Sequence, residues 1–194
     1  MGHFYENIKK INNPYNYLVL VNKNNKLDSL FIPNDLEDIN LKFANKDKKL
    51  RRNARIAFED LSNDAYKKGL KIIAVSAFRD YSYQKNLYNK YVIENGLDYA
   101  DRCSARAGHS EHQTGLAIDI MGSNNDYNKF HESKEFNWMI NNAHKYGFIL
   151  RYPEHKEHIT GFKYEPWHYR YVGIDTASII HKKKITLEEY IKTL

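Results

Sequence analysis

Gly115-Leu116-Ala117-Ile118-Asp119-Ile120-Met121 carries the reading of the fold. Its aliphatic residues predict a strand, reached through the polar loop Ser110-Glu111-His112-Gln113-Thr114. One acid, Asp119, stands inside that strand between Ile118 and Ile120. A carboxylate in such an apolar strand is costly unless it is ion-paired or bound to a metal.

Working outward, KIIAVSAF at 71–78 is unbroken and β-branched, as a strand buried on both faces would be. Before it, Leu50, Ala54, Ala57, Phe58, Leu61 and Ala65 recur at spacings of three and four, which predicts a helix from near Asp47 to Lys68, stopped by Gly69. Asp80 or Ser82 is placed to cap a second helix with Leu87, Tyr88, Tyr91 and Val92 as its stripe, ending at Gly96. Residues 97–114 are weakly periodic. Residues 123–128 read as a turn, and 136–147 as a helix closed by Gly147. FILRYP, GFKYEP and HYRYVG read as three short strands, with one or two helical segments from Ile174. At the front, YLVLVNKNNKLDSLFIP reads as a hairpin around Asn22 to Lys26. The expected class is α+β: a single domain with a central, mainly antiparallel sheet flanked by helices and an N-terminal hairpin. Residues 1–15 are expected to be an N-terminal extension and 16–194 the domain proper.

The 194 residues suffice to bury a core without staples. The one cysteine, Cys103, excludes an internal disulfide and a zinc site built from several thiolates. No apolar run reaches the roughly 18 to 20 residues of a membrane span. The N-terminus lacks the apolar centre of a secretion signal, and the Gly2–His3 start resembles a cloning remnant, so a leader or anchor outside this chain is compatible with the sequence. The polar inventory is unusual: nine His, sixteen Tyr and a net charge of +6.

Two stretches concentrate chemistry. One is 110–119, with His112 before the strand and Asp119 within it. The other is Glu165-Pro166-Trp167-His168-Tyr169-Arg170. Two imidazoles, a carboxylate and a spare Glu make the inventory of a catalytic zinc site: three protein ligands leave the fourth position open, while a non-ligand Glu takes a proton. The spacings alone are loose, and a salt-bridged core Asp119 with a half-buried strand His168 explains them equally well.

The pattern Ser110-x-His112-x-x-Gly115-x-Ala117-x-Asp119 resembles the zinc D-alanyl-D-alanine carboxypeptidases, in particular the VanY-like branch that includes the LD-carboxypeptidases of bacterial cell walls. The resemblance extends to SAFRDYSYQ at 76–84, GHSEHQTGLAIDI at 108–120 and RYPEHKEHITGFKYEPWHYRYVG at 151–173, covering roughly residues 15–175 in order. It implies that His112, Asp119 and His168 hold one zinc ion and that Glu165 is the general base. It further implies that Arg79 faces the scissile carbonyl or the substrate carboxylate, and that Gln84 and Ser110 hold the end of the peptide. Tyr152 corresponds to a position near the pocket, while Trp167, with Tyr169 and Tyr171, reads equally as an aromatic wall for the peptide or as strand core. The chain departs from many members at Ala77-Phe78, where they carry Gly-Tyr, so no phenol is expected there.

The implied activity removes C-terminal D-alanine from peptidoglycan stem peptides, with D,D or L,D specificity. The alternatives are an endolysin-type peptidase cutting inside the stem, and a non-catalytic peptidoglycan-binding module; a retained Glu165 argues against the module. The resemblance places the protein at the cell envelope, with a cytoplasmic location as the alternative. The remaining candidates are weaker. His109 is expected near the site or in solvent, His155 and His158 in solvent, and His3, His131, His144 and His181 without a role. Cys103 lacks a His and Asn partner signature and reads as an inert thiol. The basic runs at 46–52 and 181–184 read as solvated surface without a nucleic-acid fold, and they fit attraction to anionic wall polymers.

Overall fold

A computed structural model describes residues 4–123, 126 and 129–194. The Gly2–His3 start and most of the turn expected over 123–128 lie outside the described residues. The centre is a four-stranded antiparallel sheet in the order β5 (Ile73–Ser76), β6 (Ala117–Met121), β8 (His168–Tyr171), β7 (Phe148–Leu150). Strand side chains alternate between faces. Ile118 and Ile120 of β6 and Tyr169 of β8 therefore enter the main core, and Asp119 and His168 point the other way, into a cleft. The core face is covered by helix α1 (Arg52–Tyr66), whose Ala54, Phe58, Leu61 and Ala65 are buried. Phe58 meets Phe148 of β7 edge-on, at 6.4 Å between ring centres.

Before the sheet, β1 (Lys9–Lys10) pairs in parallel with β2 (Asn25–Lys26), and β3 (Leu36–Asp38) pairs antiparallel with β4 (Lys49–Arg51). Helices α2 (Tyr81–Asn95) and α3 (Leu97–Cys103) form one wall of the cleft; Asp80 caps α2 and Gly96 separates the two. α4 (Lys134–Asn142) precedes β7, and one turn of helix, α5 (Glu157–Thr160), follows it. The C-terminal α6 (Ile174–Lys183) and α7 (Leu187–Ile191) enclose a second core of Ile149, Val172, Ala177, Ile180 and Leu187.

Four sequence expectations need correction. The first helix begins at Arg52, not near Asp47: Lys49–Arg51 is held extended by pairing with Leu36–Asp38, while Leu50 is buried in that strand. A residue four before Ala54 suits a strand end as well as a helix stripe. Residues 97–103 are helical without an apolar stripe, because only Ala100 is buried. GFKYEP is irregular, not a strand. Its Lys163 amide bonds to Arg102 and its Glu165 amide to Tyr152, so no single neighbour offers a ladder, and Pro166 has no amide proton to give.

The N-terminal hairpin survives only as its turn. Asn22 and Asn25 exchange backbone hydrogen bonds of 3.2 Å, and the Asn22 side chain accepts from the Asn24 and Asn25 amides. The flanking Tyr17–Val21 has no strand partner among the described residues. It runs between the two cores, with Val19 and Val21 in the main one and Leu18 and Leu20 against the second. Its carbonyls are satisfied by a side chain: the Arg170 guanidinium donates to the Tyr17 and Val19 oxygens, both at 2.9 Å.

That guanidinium belongs to a buried ionic knot. Glu111 Oε1 accepts from Arg151 and Arg170, each at 2.7 Å, and Arg151 also forks onto both Glu188 oxygens at 2.8 and 2.6 Å. Arg151 and Arg170 are both fully buried. Burial by itself would raise the Glu111 carboxyl, but the two arginines outweigh it and hold it well below the ordinary carboxylate range. Removing one member of such a group strands an uncompensated charge. Arg170→Met should therefore lower the free energy of unfolding by about 3–5 kcal/mol, read by urea denaturation. A loss under about 1 kcal/mol, within the range of an exposed ion pair, would show that the knot does not hold the N-terminal segment.

Candidate metal centre

Register builds the site. Asp119 lies opposite His168 on one side and Ser76 on the other, so three adjacent strands place Ser76, Asp119 and His168 in one row. An irregularity between Ala74 and Ser76 sets that row, since two steps along β5 match one step along β6. His112 arrives from a short 3-10 turn, Glu111–Thr114, whose first amides are capped by the Ser110 hydroxyl, which accepts from the His112 amide at 3.3 Å. The turn ends at Gly115 with φ +66, and a side chain there would meet Leu36 Cδ2 at 2.7 Å. Glycine is the residue that fits both the left-handed backbone and the space.

His112, Asp119 and His168 are buried, and their ligand atoms lie within 4.8 Å of one another. The His112 Nδ1 is 2.6 Å from the Ala77 carbonyl. A carbonyl only accepts, so the proton sits on Nδ1 and the lone pair on Nε2, which has no hydrogen-bond partner among the described residues. Burial, reinforced by Arg79, lowers the His112 pKa to about 4, so the ring is neutral near pH 7. The His168 Nδ1 is 2.9 Å from Asp119 Oδ1, while its Nε2 is 3.5 Å from Glu111 Oε2. Burial opposes a charge on His168, but hydrogen bonds to Asp119 and Glu111 prevail and raise its pKa to about 9. A proton thus occupies the place where carboxylates demand positive charge. Two imidazoles and one carboxylate with no thiolate suit Zn²⁺, whose binding would displace that proton.

Glu165 stands beside this cluster without belonging to it, with Oε2 3.9 Å from His168 Nδ1. Burial is the main cause that raises its carboxyl to about 7. Arg79 donates to the Ser76 hydroxyl at 3.3 Å and sits 4.0 Å from Asp119 Oδ2, while its Nε finds no acceptor among the described residues.

The cleft has a volume of about 470 Å³. It gathers Arg79, Ser110, His112, Asp119, Tyr152, Glu165, Trp167 and His168, which is most of the set that the sequence singled out. Tyr152 lies over the His168 ring at 4.8 Å between centres. Gln84 is placed differently: it is buried behind the wall, and its amide donates to the Ala105 carbonyl at 2.7 Å, so it braces residues 104–105. His109 is buried with Nδ1 2.8 Å from the Asn22 carbonyl, away from the metal cluster. His155 and His158 are exposed, and His144 stacks on His181 at 3.8 Å.

Sequence reading missed Glu111, whose oxygen faces His168 from beneath, and the cleft residues Cys103 and Lys163. Glu111 left one signal: it needs cations, and Arg151 and Arg170 both sit in segments read as short strands.

A family model described as D-alanyl-D-alanine carboxypeptidase, VanY, matches residues 47–174. A Bacillus subtilis (strain 168) protein named as a carboxypeptidase, YodJ, is 40% identical over 204 aligned residues, covering 98% of this chain and 75% of its own. The structure of the LdcB LD-carboxypeptidase superposes with a TM-score of 0.90 at 40% identity, over 96% of this chain and 91% of that one. A vancomycin-resistance D,D-pentapeptidase, VanY, solved with Zn(II), gives 0.77 at 32% identity, over 90% and 98%. With the His-Asp-His cluster, the neighbouring Glu165 and these likenesses along nearly its whole length, the chain belongs to the VanY family of zinc carboxypeptidases.

Proposed function

We propose that this carboxypeptidase removes C-terminal D-alanine from peptidoglycan stem peptides, with His112, Asp119 and His168 holding its zinc ion. The domain that does so spans residues 16–194, with 1–15 as an appended segment, and it works at the cell envelope. The observation that carries the reading is Glu165, a buried carboxyl with high proton affinity next to the metal cluster but outside it. A binding module has no use for such a group. A zinc ion held there would polarise a carbonyl and acidify water.

The protein's own residues supply the rest. Glu165 takes a proton from the attacking water as the new C–O bond forms. It then gives that proton to the amine nitrogen as the C–N bond breaks, so the carboxylate is regenerated in each turnover. Arg79, with Nε unsatisfied, offers a donor to the oxygen on which charge develops. Asp119 orients the His168 ring at 2.9 Å and the Ala77 carbonyl orients that of His112 at 2.6 Å, so the other Asp119 oxygen and His112 Nε2, 3.3 Å apart, are both left to face a metal. Tyr152 and Trp167 wall the peptide, Ser110 offers its hydroxyl, and Gln84 acts through the backbone it braces. The basic runs at 46–52 and 181–184 would draw the protein to anionic wall polymers.

The test is release of D-alanine from L-Ala-γ-D-Glu-L-Lys-D-Ala-D-Ala and from the matching tetrapeptide. Zinc-loaded protein should release it from at least one, a chelator should stop it, and release from neither would end the proposal. Glu165→Gln should lower kcat by about a hundred- to ten-thousand-fold with zinc content retained. Loss of the metal in that variant would make Glu165 a ligand instead.

The pH profile has a definite sign. Glu165 acts deprotonated, so kcat/KM falls as pH drops through its pKa. Burial raises that value from 4.5 towards about 7, and a bound cation opposes the rise. The acid inflection should lie between those two values and disappear in Glu165→Gln. A profile that stays flat below pH 4.5 would contradict the role.

A further inference from the structure

Lys163 is a cation in the cleft that the proposed mechanism leaves unused. It lies in the irregular segment before Glu165, and its backbone amide donates to the Arg102 carbonyl at 3.2 Å, which ties it to the C-terminal end of α3. The side chain is half-buried among the cleft residues, with Nζ 5.4 Å from the centre of the Tyr99 ring and Cys103 beside it. Among the described residues no carboxylate comes within ion-pairing distance of it; the Cys103 side chain hydrogen-bonds it and Glu157 and Glu165 act on it from further off, whereas the neighbouring Arg102 is paired directly with Glu157. A half-buried ammonium with no carboxylate directly on it can still donate charge-assisted hydrogen bonds to an anion that enters the cleft.

Arg79 cannot meet the same demand. It sits against Ser76 and Asp119 at the metal row, whereas Lys163 packs against the end of α3, beside a wall built from Tyr83, Leu87, Tyr91 and Tyr99. Two cations on separate elements of one cleft suit a ligand with two separated negative groups. The first is the peptide's C-terminal carboxylate or the oxyanion formed next to it.

Resting on the carboxypeptidase reading, we infer that Lys163 is a specificity residue that binds a second carboxylate of the stem peptide, on the N-terminal side of the scissile bond. Two groups offer that chemistry: the side-chain carboxylate of a diaminopimelate at the third position, and the α-carboxylate of the γ-linked D-glutamate at the second. Both become neutral on amidation. Lysine in place of diaminopimelate also removes the first.

Four peptides separate these sources: the third residue is either lysine or meso-diaminopimelate, and the second is either γ-D-Glu or γ-D-isoglutamine. The wild-type protein should favour one carboxylate-bearing member over its neutral counterpart by about tenfold in kcat/KM, mainly through KM, as expected for a charge-assisted hydrogen bond in a partly buried site. Lys163→Met should bring that ratio close to one, and Lys163→Arg should restore most of it. A preference that follows the third residue identifies diaminopimelate, and one that follows the second identifies glutamate; either supports the inference. Equal use of all four peptides by the wild-type, or a preference that persists in Lys163→Met, overturns it and leaves the carboxypeptidase reading intact. If no peptide yields D-alanine, that reading fails and this inference with it. A loss in Lys163→Met that is equal for all four peptides and that Lys163→Arg does not repair marks a structural role, and it too rejects the inference.

Discussion

The rest of the structure depends on a buried charge balance. Glu111 and Glu188 face Arg151 and Arg170 inside the protein, with both guanidinium groups fully buried. Such a cluster is tolerable only when every charge is matched and every donor is used. That demand joins parts of the chain that are far apart in sequence: the turn bearing His112, the strand bearing His168, the segment after β7, the C-terminal helix α7 and the extended Tyr17–Val21. The knot is therefore a fixed floor for the metal site. Glu111 serves both, because one oxygen binds the arginines and the other faces His168.

Above that floor, position follows from strand register. Asp119 is placed between Ser76 and His168 by hydrogen-bonded ladders on either side, and a one-residue slip would send it into the core. Its carboxylate accepts from His168 and faces Arg79, so it remains ionised although buried. His112 is neutral with its lone pair free, while Glu165 is held at high proton affinity a few ångströms away. Neighbouring groups pushed to opposite proton affinities are the condition under which one side chain can ligate a metal while another moves a proton.

How much of this was legible in the sequence depends on the range of the interactions. Asp119 stood out because an acid between Ile118 and Ile120 is anomalous within a few positions, whereas the roles of His112, Glu165 and His168 came from the resemblance of the motifs around them, their spacings alone fitting a salt-bridged core equally well. The sheet strands at 73–76 and 117–121 were readable from their short aliphatic runs, and the cap of α2 narrowed to Asp80 or Ser82, of which Asp80 is the one in place. Extended residues 49–51 were not, since Leu50 fits the helix stripe and only pairing with Leu36–Asp38 excludes it. Nor was the fate of Tyr17–Val21, whose carbonyls are satisfied by Arg170, 151 and 153 positions away. Lys163 and Cys103 meet in the cleft where the 163 amide bonds to Arg102, a contact that no periodicity announces. Gln84 was identified as polar and important, but its direction, into the wall, depends on where residues 104–105 run.

The central claim is that His112, Asp119 and His168 form the metal centre on this charged floor and that Glu165 stands outside it. Anomalous diffraction from zinc-loaded crystals at the zinc edge tests it most directly. The account predicts one strong peak about 2.0–2.2 Å from His112 Nε2, an Asp119 oxygen and His168 Nδ1, with Glu165 beyond bonding distance. A peak coordinated by Glu165, or one located away from these three residues, would contradict it.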